Sequence, residues 1–157
     1  MWSNERGLSL VELLGALVIT VMIGFIAYGI LFNGIKTYER VKIEADLRDE
    51  ADLIMVELLS DLYVLKESET KPSTNPPASI KYIELINGGK IGFVGGEVHL
   101  KDGAKYTIQN DSIKISDDTE IIDKGQGQYE INLTLEWTET NQTLTTASAI
   151  AIIRDNE

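Results

Sequence analysis

The 157-residue chain contains no cysteine, a single histidine and only three prolines. Without cysteine there is no disulfide, no thiolate nucleophile and no Cys-containing zinc site. The redox compartment stays open, because a domain of this size folds without staples. The lone histidine, His99, falls in a predicted strand and supports neither a catalytic triad nor a multi-histidine metal site. Basic residues are also scarce: 14 Lys and Arg stand against 25 Asp and Glu, giving a formal net charge of -11. Phosphate recognition needs clustered cations that displace counterions, so direct nucleic-acid binding is excluded as an expectation. The glycine pairs Gly88-Gly89 and Gly95-Gly96 lack the Lys-Ser/Thr context of a phosphate loop.

What is abundant is apolar surface, and it is unevenly spread. Residues 8–32 are interrupted by only three clearly polar side chains, Ser9, Glu12 and Thr20. As a helix such a run extends about 37 Å, enough to cross a bilayer. A secretory signal normally has a basic start and an apolar core of about 7–15 residues; here Arg6 is offset by Glu5 and the apolar run is longer. Lys36, Arg40 and Lys42 follow the run while Arg6 alone precedes it. That asymmetry does not fix orientation, since large domains translocate largely regardless of flanking charge.

Glu12 is the anomaly within this run. A carboxylate deep in a bilayer costs roughly 2.5–3.5 kcal/mol on insertion scales, so it requires compensation or a position near the headgroups. The motif Arg6-Gly7-Leu8-Ser9-Leu10-Val11-Glu12-Leu13-Leu14 resembles the processing site of type IV prepilins and pseudopilins, where a basic residue and a glycine precede an apolar run with glutamate in fifth place. The resemblance implies cleavage by a prepilin peptidase between Gly7 and Leu8, and N-methylation of Leu8. The new ammonium group would then compensate Glu12 from the same or a neighbouring subunit, making Glu12 an assembly determinant. Leu8 stands where phenylalanine or methionine is common. Gly29 stands where many family members carry a helix-breaking proline.

Residues 35–65 continue in helix-forming composition, with Leu47, Ala51, Ile54, Leu58, Leu62 and Leu65 at spacings of three and four. This predicts an amphipathic helix continuous with the apolar one, its stripe laid on a globular head. Glu44, Arg48 and Asp52 are spaced for ion pairs on a solvated face. All three prolines, Pro72, Pro76 and Pro77, lie in residues 68–79, read as a connector. From Ile80 onward alternating runs are separated by turn signals such as Asn87-Gly88-Gly89 and Asp102-Gly103, predicting an antiparallel meander. The clearest strands are residues 128–138 and 143–153, a closing hairpin that buries Trp137 in the core. The resulting division is leader 1–7, membrane and assembly helix 8–34, amphipathic helix 35–67, connector 68–79 and head 80–157. The fold class is α+β, a long N-terminal helix packed on an antiparallel sheet.

Asp117-Asp118-Thr119-Glu120 concentrates carboxylates without the alternating ligand spacing of a calcium loop. No nucleophile–base pair is spaced for catalysis, so neither an enzymatic activity nor a cofactor is expected. The helix with the ending Ala149-Ile150-Ala151-Ile152-Ile153-Arg154 is similar to minor pilins and J-type or competence-type minor pseudopilins. The resemblance implies as partners the prepilin peptidase, a major pilin, other minor pilins, an inner-membrane platform protein and an assembly ATPase, with membrane lipid around the helix before assembly. It places the chain in the cytoplasmic membrane with an extracytoplasmic head, and afterwards in a surface or periplasmic filament. The alternative is a single-pass, unprocessed anchor carrying an extracellular binding or sensor module.

Overall fold

A computed structural model describes residues 9–73 and 75–155. The chain divides into two units at Lys42 and Ile43, and one α-helix, α1 (Leu10–Tyr63), contributes to both. In the first unit the large apolar residues of α1 are exposed, Leu10 at 79 % and Tyr38 at 70 %. The helix passes through Gly29 without a break. Thr20 and Thr37 return their hydroxyls to the carbonyls of Ala16 and Asn33, 2.8 and 2.9 Å away, so neither leaves an unbonded hydroxyl on the surface.

In the second unit the predicted stripe is the core face of α1: Leu47, Ala51, Ile54, Leu58 and Leu62 are almost wholly buried. Leu65, also on the predicted stripe, is buried past the helix end. There Ile153 N–H donates to the Leu65 carbonyl and Glu67 N–H to that of Ile153, both at 2.9 Å. The strand-like pairing with Ile153 thus draws the segment into a parallel bridge at Lys66, and residues Glu67–Glu69 form a 3-10 turn at the start of the segment read as connector.

The head holds two antiparallel sheets in place of one meander. The larger contains β1 (Ala78–Ile80), β6 (Ile113–Ile115), β7 (Glu120–Gly125), β8 (Gln128–Trp137) and β9 (Gln142–Ala151). The smaller runs in sequence through β2 (Tyr82–Glu84), β3 (Lys90–Val94), β4 (Glu97–His99) and β5 (Lys105–Tyr106). Strand β1 begins inside the segment read as connector and pairs with β7, far along the chain. A bend at Lys81 sends the next residues into the second sheet. Gly92 makes this close: at φ +126 it lies where a Cβ would be 2.8 Å from both the Lys81 carbonyl and the Ile121 side chain, so no larger residue fits. Gly95 and Gly96, both at positive φ, form the two-residue turn between β3 and β4 that a hairpin's twist favours.

One apolar core joins α1 to both sheets through Tyr129, Ile131, Leu133 and Leu135 of β8, Ile121 of β7, and Ile83, Ile91 and Val98 of the smaller sheet. Strands β8 and β9 form the expected hairpin, ten pairs from Gln128↔Ala151 to Trp137↔Gln142. Trp137, expected in the core, lies at the turn end of β8 and is only half-buried at the core's rim.

Two helix carboxylates fasten the smaller sheet. Glu50, 5 % exposed, accepts from the Tyr106 hydroxyl at 2.9 Å and from Gln109 N–H at 3.3 Å. Three turns on, Asp61 accepts Lys101 N–H at 2.6 Å. Burial, reinforced by Glu50, pushes the Tyr106 hydroxyl pKa up to about 12. Arg48 pairs with Glu44 at 3.6 Å, the earlier of its two predicted partners.

Candidate functional site

The site singled out by sequence is the start of α1. Gly7 and Leu8 lie outside the described residues; Ser9 and Glu12 lie inside them. Ser9 caps the helix. Its Oγ accepts Glu12 N–H at 3.2 Å, and Glu12 Oε2 accepts Ser9 N–H at 2.9 Å. This reciprocal capping box satisfies two backbone donors that a helix start leaves unpaired, and it sets a carboxylate at the positive end of the helix dipole. The Ser-x-x-Glu pattern stands in the sequence, but taken one residue at a time Ser9 and Glu12 are only separate interruptions of an apolar run.

The capping box is compatible with a cut before Leu8. The amide that Glu12 accepts is the Leu8–Ser9 peptide nitrogen, which such a cut leaves intact. The carboxylate is therefore already held one residue from where a new ammonium group would be, within the same chain. Between Glu12 and Lys36 α1 carries no other ionisable side chain except the Tyr28 phenol.

The far end of the apolar run carries an aromatic–basic cluster. Tyr28 and Phe32 stack with ring centroids 6.2 Å apart, and Lys36 Nζ sits 4.4 Å above the Phe32 ring. Aromatic rings followed by a lysine one turn later suit the interface between hydrocarbon and water, where the rings rest at headgroup level and the ammonium reaches outward. By length and composition α1 is able to cross a membrane. Around Gly15, Gly24, Gly29 and Gly34 the helix surface is open, with no side chain or distant backbone within 4 Å of where a methyl group would project; such shelves permit close helix approach.

The head offers a polar cleft of about 350 Å³ between Lys71, Lys81, Glu84, Asp123 and Tyr129, whose charged groups are already paired. Lys71 meets Glu84 at 2.6 Å, and the lysine holds that carboxyl below its ordinary pKa. Asp123, buried, accepts from the Ser73 hydroxyl and from Gly125 N–H. Lys81 donates to the carbonyls of Asp117 and Thr119, so the acidic run Asp117 to Glu120 contributes main-chain acceptors here. Among the described residues no three His, Asp or Glu side chains gather as a metal site. His99 lies in β4, partly buried and 3.6 Å from Glu97.

No protein-family model, no curated protein and no solved structure matches the chain.

Proposed function

We propose that this chain is a non-enzymatic, minor pilin- or pseudopilin-type subunit of a type IV pilus-like filament. It is inserted in the cytoplasmic membrane by the first half of α1, cut between Gly7 and Leu8 by a prepilin peptidase, and N-methylated on Leu8. It joins a major pilin and other minor pilins through that helix, with an inner-membrane platform protein and an assembly ATPase acting on it indirectly. The observation that carries the reading is one carboxylate, Glu12, fixed at the start of an exposed apolar helix one residue from the cleavage position. An exposed helix of this kind is stable only in lipid or against other helices, and a filament core supplies the second environment as the first is left behind.

The capping box also supports a second reading, because Ser9 partners Glu12 without any processing. In that case the helix stays as an uncut single-pass anchor for an extracellular binding module. Intact mass of membrane-extracted protein from cells with and without the prepilin peptidase separates the two. Loss of residues 1–7 and gain of one methyl group, only when the peptidase is present, supports the filament subunit. An uncut chain in both strains overturns it.

A further inference from the structure

Three triplets in the head have the form Asn-x-Ser/Thr without an intervening proline: Asn110-Asp111-Ser112, Asn132-Leu133-Thr134 and Asn141-Gln142-Thr143. In an exported protein this is the acceptor pattern for an N-linked glycan, a bulky group that only a surface position accommodates. As sequence the three stand equal, and the fold separates them.

Asn132 lies within β8, opposite Glu120 of β7 on one side and Ala147 of β9 on the other. Its amide nitrogen is 3.5 Å from a Glu120 carboxylate oxygen. The hydroxyl of its triplet is occupied as well, because Thr134 is buried and bonds the Thr145 hydroxyl at 2.9 Å. Asn110 is half-buried and folded onto its own triplet, its Oδ1 accepting Ser112 N–H at 3.0 Å. The Ser112 carbonyl in turn accepts the N–H and the hydroxyl of Thr138, at 2.8 and 3.1 Å. A transferase has to take the triplet with its backbone free, and at Asn110 or Asn132 that means breaking bonds that hold the head together.

Asn141 is placed differently. It ends the connection 138–141 between β8 and β9, it is exposed, and it sits at φ +54, a left-handed conformation that asparagine tolerates. Its N–H donates to the Trp137 carbonyl at 2.8 Å, within the same turn. Thr143, also exposed, is the second residue of β9, which among the described residues has a neighbouring strand on one side only. The triplet therefore lies at a hairpin tip and the start of an edge strand, where it can be lifted without opening the core.

We propose that Asn141 is an N-glycosylation site, selected by the fold over Asn110 and Asn132. The co-substrate is an oligosaccharide carried on a lipid diphosphate. The Asn141 amide nitrogen attacks the anomeric carbon; the N–C bond forms, the C–O bond to the diphosphate breaks, the diphosphate leaves with the electron pair, and the nitrogen releases one proton. Thr143 supplies the hydroxyl by which an oligosaccharyltransferase recognises the acceptor. The inference rests on the reading, common to the filament subunit and the uncut anchor, that the head is exported to the side where such a transfer takes place.

A left-handed turn alone accounts for an asparagine at 141, so the test variants keep the turn. Full chain is extracted from the membranes of the cells that make it, its intact mass is measured, and its peptides are sequenced by mass spectrometry. A saccharide mass is expected on Asn141, with Asn110 and Asn132 bare. Asn141→Asp, which tolerates the same φ, and Thr143→Val, which keeps a branched strand side chain, should each lower the glycosylated fraction about tenfold or more. Thr143→Ser should retain most of it, and Asn132→Gln should leave it unchanged. Protease added to cells with only the cytoplasmic membrane intact reads export separately. A digested head with a bare Asn141 overturns the proposal and leaves the export reading standing, whereas a protected head overturns both. Saccharide on Asn110 or Asn132 as often as on Asn141, or saccharide that survives Thr143→Val, equally overturns the proposal.

Discussion

The hydroxyl of Thr119 bonds both main-chain groups of Thr134, accepting from its N–H and donating to its C=O, each at 3.0 Å. The position explains the need. Strands β6 and β7 share one side of β8, β6 covering Leu135 to Trp137 and β7 reaching only to Asn132. Between them the backbone of Thr134 faces a gap inside the protein, with Thr119 1 % and Thr134 6 % exposed. A single side chain fills the missing rung. Ser116 N–H adds a second donor to the same carbonyl at 2.8 Å, so Thr119 matters most for the amide.

Thr119→Val keeps the shape and deletes the hydroxyl, leaving the Thr134 N–H buried without a partner. The expected loss is about 1–3 kcal/mol of unfolding free energy, with Thr119→Ser much closer to the parent. Urea unfolding of the three proteins followed by near-UV circular dichroism checks this. Faster exchange of the Thr134 amide in the valine variant alone locates the effect.

Tyr106 gives the head an alkaline limit. Its hydroxyl pKa lies at about 12 in the fold against 10.0 ordinarily, first because partial burial desolvates it and then because it donates to Glu50. A folded value above the unfolded one means that this contribution to stability is complete below pH about 10. It is lost as the pH rises from there through about 12. Urea midpoints measured across that range should fall less steeply in Tyr106→Phe than in the parent. In Glu50→Gln the Tyr106 ionisation, read by its absorbance, should move down toward 10 without reaching it, because burial is the larger cause.

The sequence shows the helix stripe plainly, since Leu47, Ile54, Leu58 and Leu62 keep a period that only one face of a helix satisfies. The β8–β9 hairpin is equally plain, because Ile131, Leu133 and Leu135 alternate over a long run. The split into two sheets is not readable there. It depends on β1 pairing with β7 some forty residues later and on the close approach at Gly92, and neither leaves a local periodicity. Glu50 is hidden for a related reason: a carboxylate on a helix reads as solvated until the strand carrying Tyr106 is folded over it. Trp137 misleads because its size argues for the core while its place at a hairpin end decides its exposure. At the N-terminus the charge of Glu12 stands out, whereas its partner Ser9 shows only when the two are taken together as a helix start.

That pairing makes the two roles of Glu12 separable. Glu12→Gln keeps an oxygen that can accept Ser9 N–H, so the cap persists while the charge is gone. Ser9→Ala removes the acceptor for Glu12 N–H and leaves the charge in place. A capping substitution costs about 0.5–2 kcal/mol, and at the start of a helix that runs unbroken from Leu10 to Tyr63 it should fray the first turn only. If the carboxylate serves assembly by compensating the ammonium group on Leu8, Glu12→Gln should be processed normally yet enter filaments at about a tenth of the parental level or less, a loss of at least ~1.4 kcal/mol. Ser9→Ala should assemble close to normally. Quantifying each variant in sheared filament and membrane fractions, with intact mass to verify processing, reads both effects. Normal incorporation of Glu12→Gln together with failure of Ser9→Ala would leave Glu12 as a helix cap and remove its charge from the assembly mechanism.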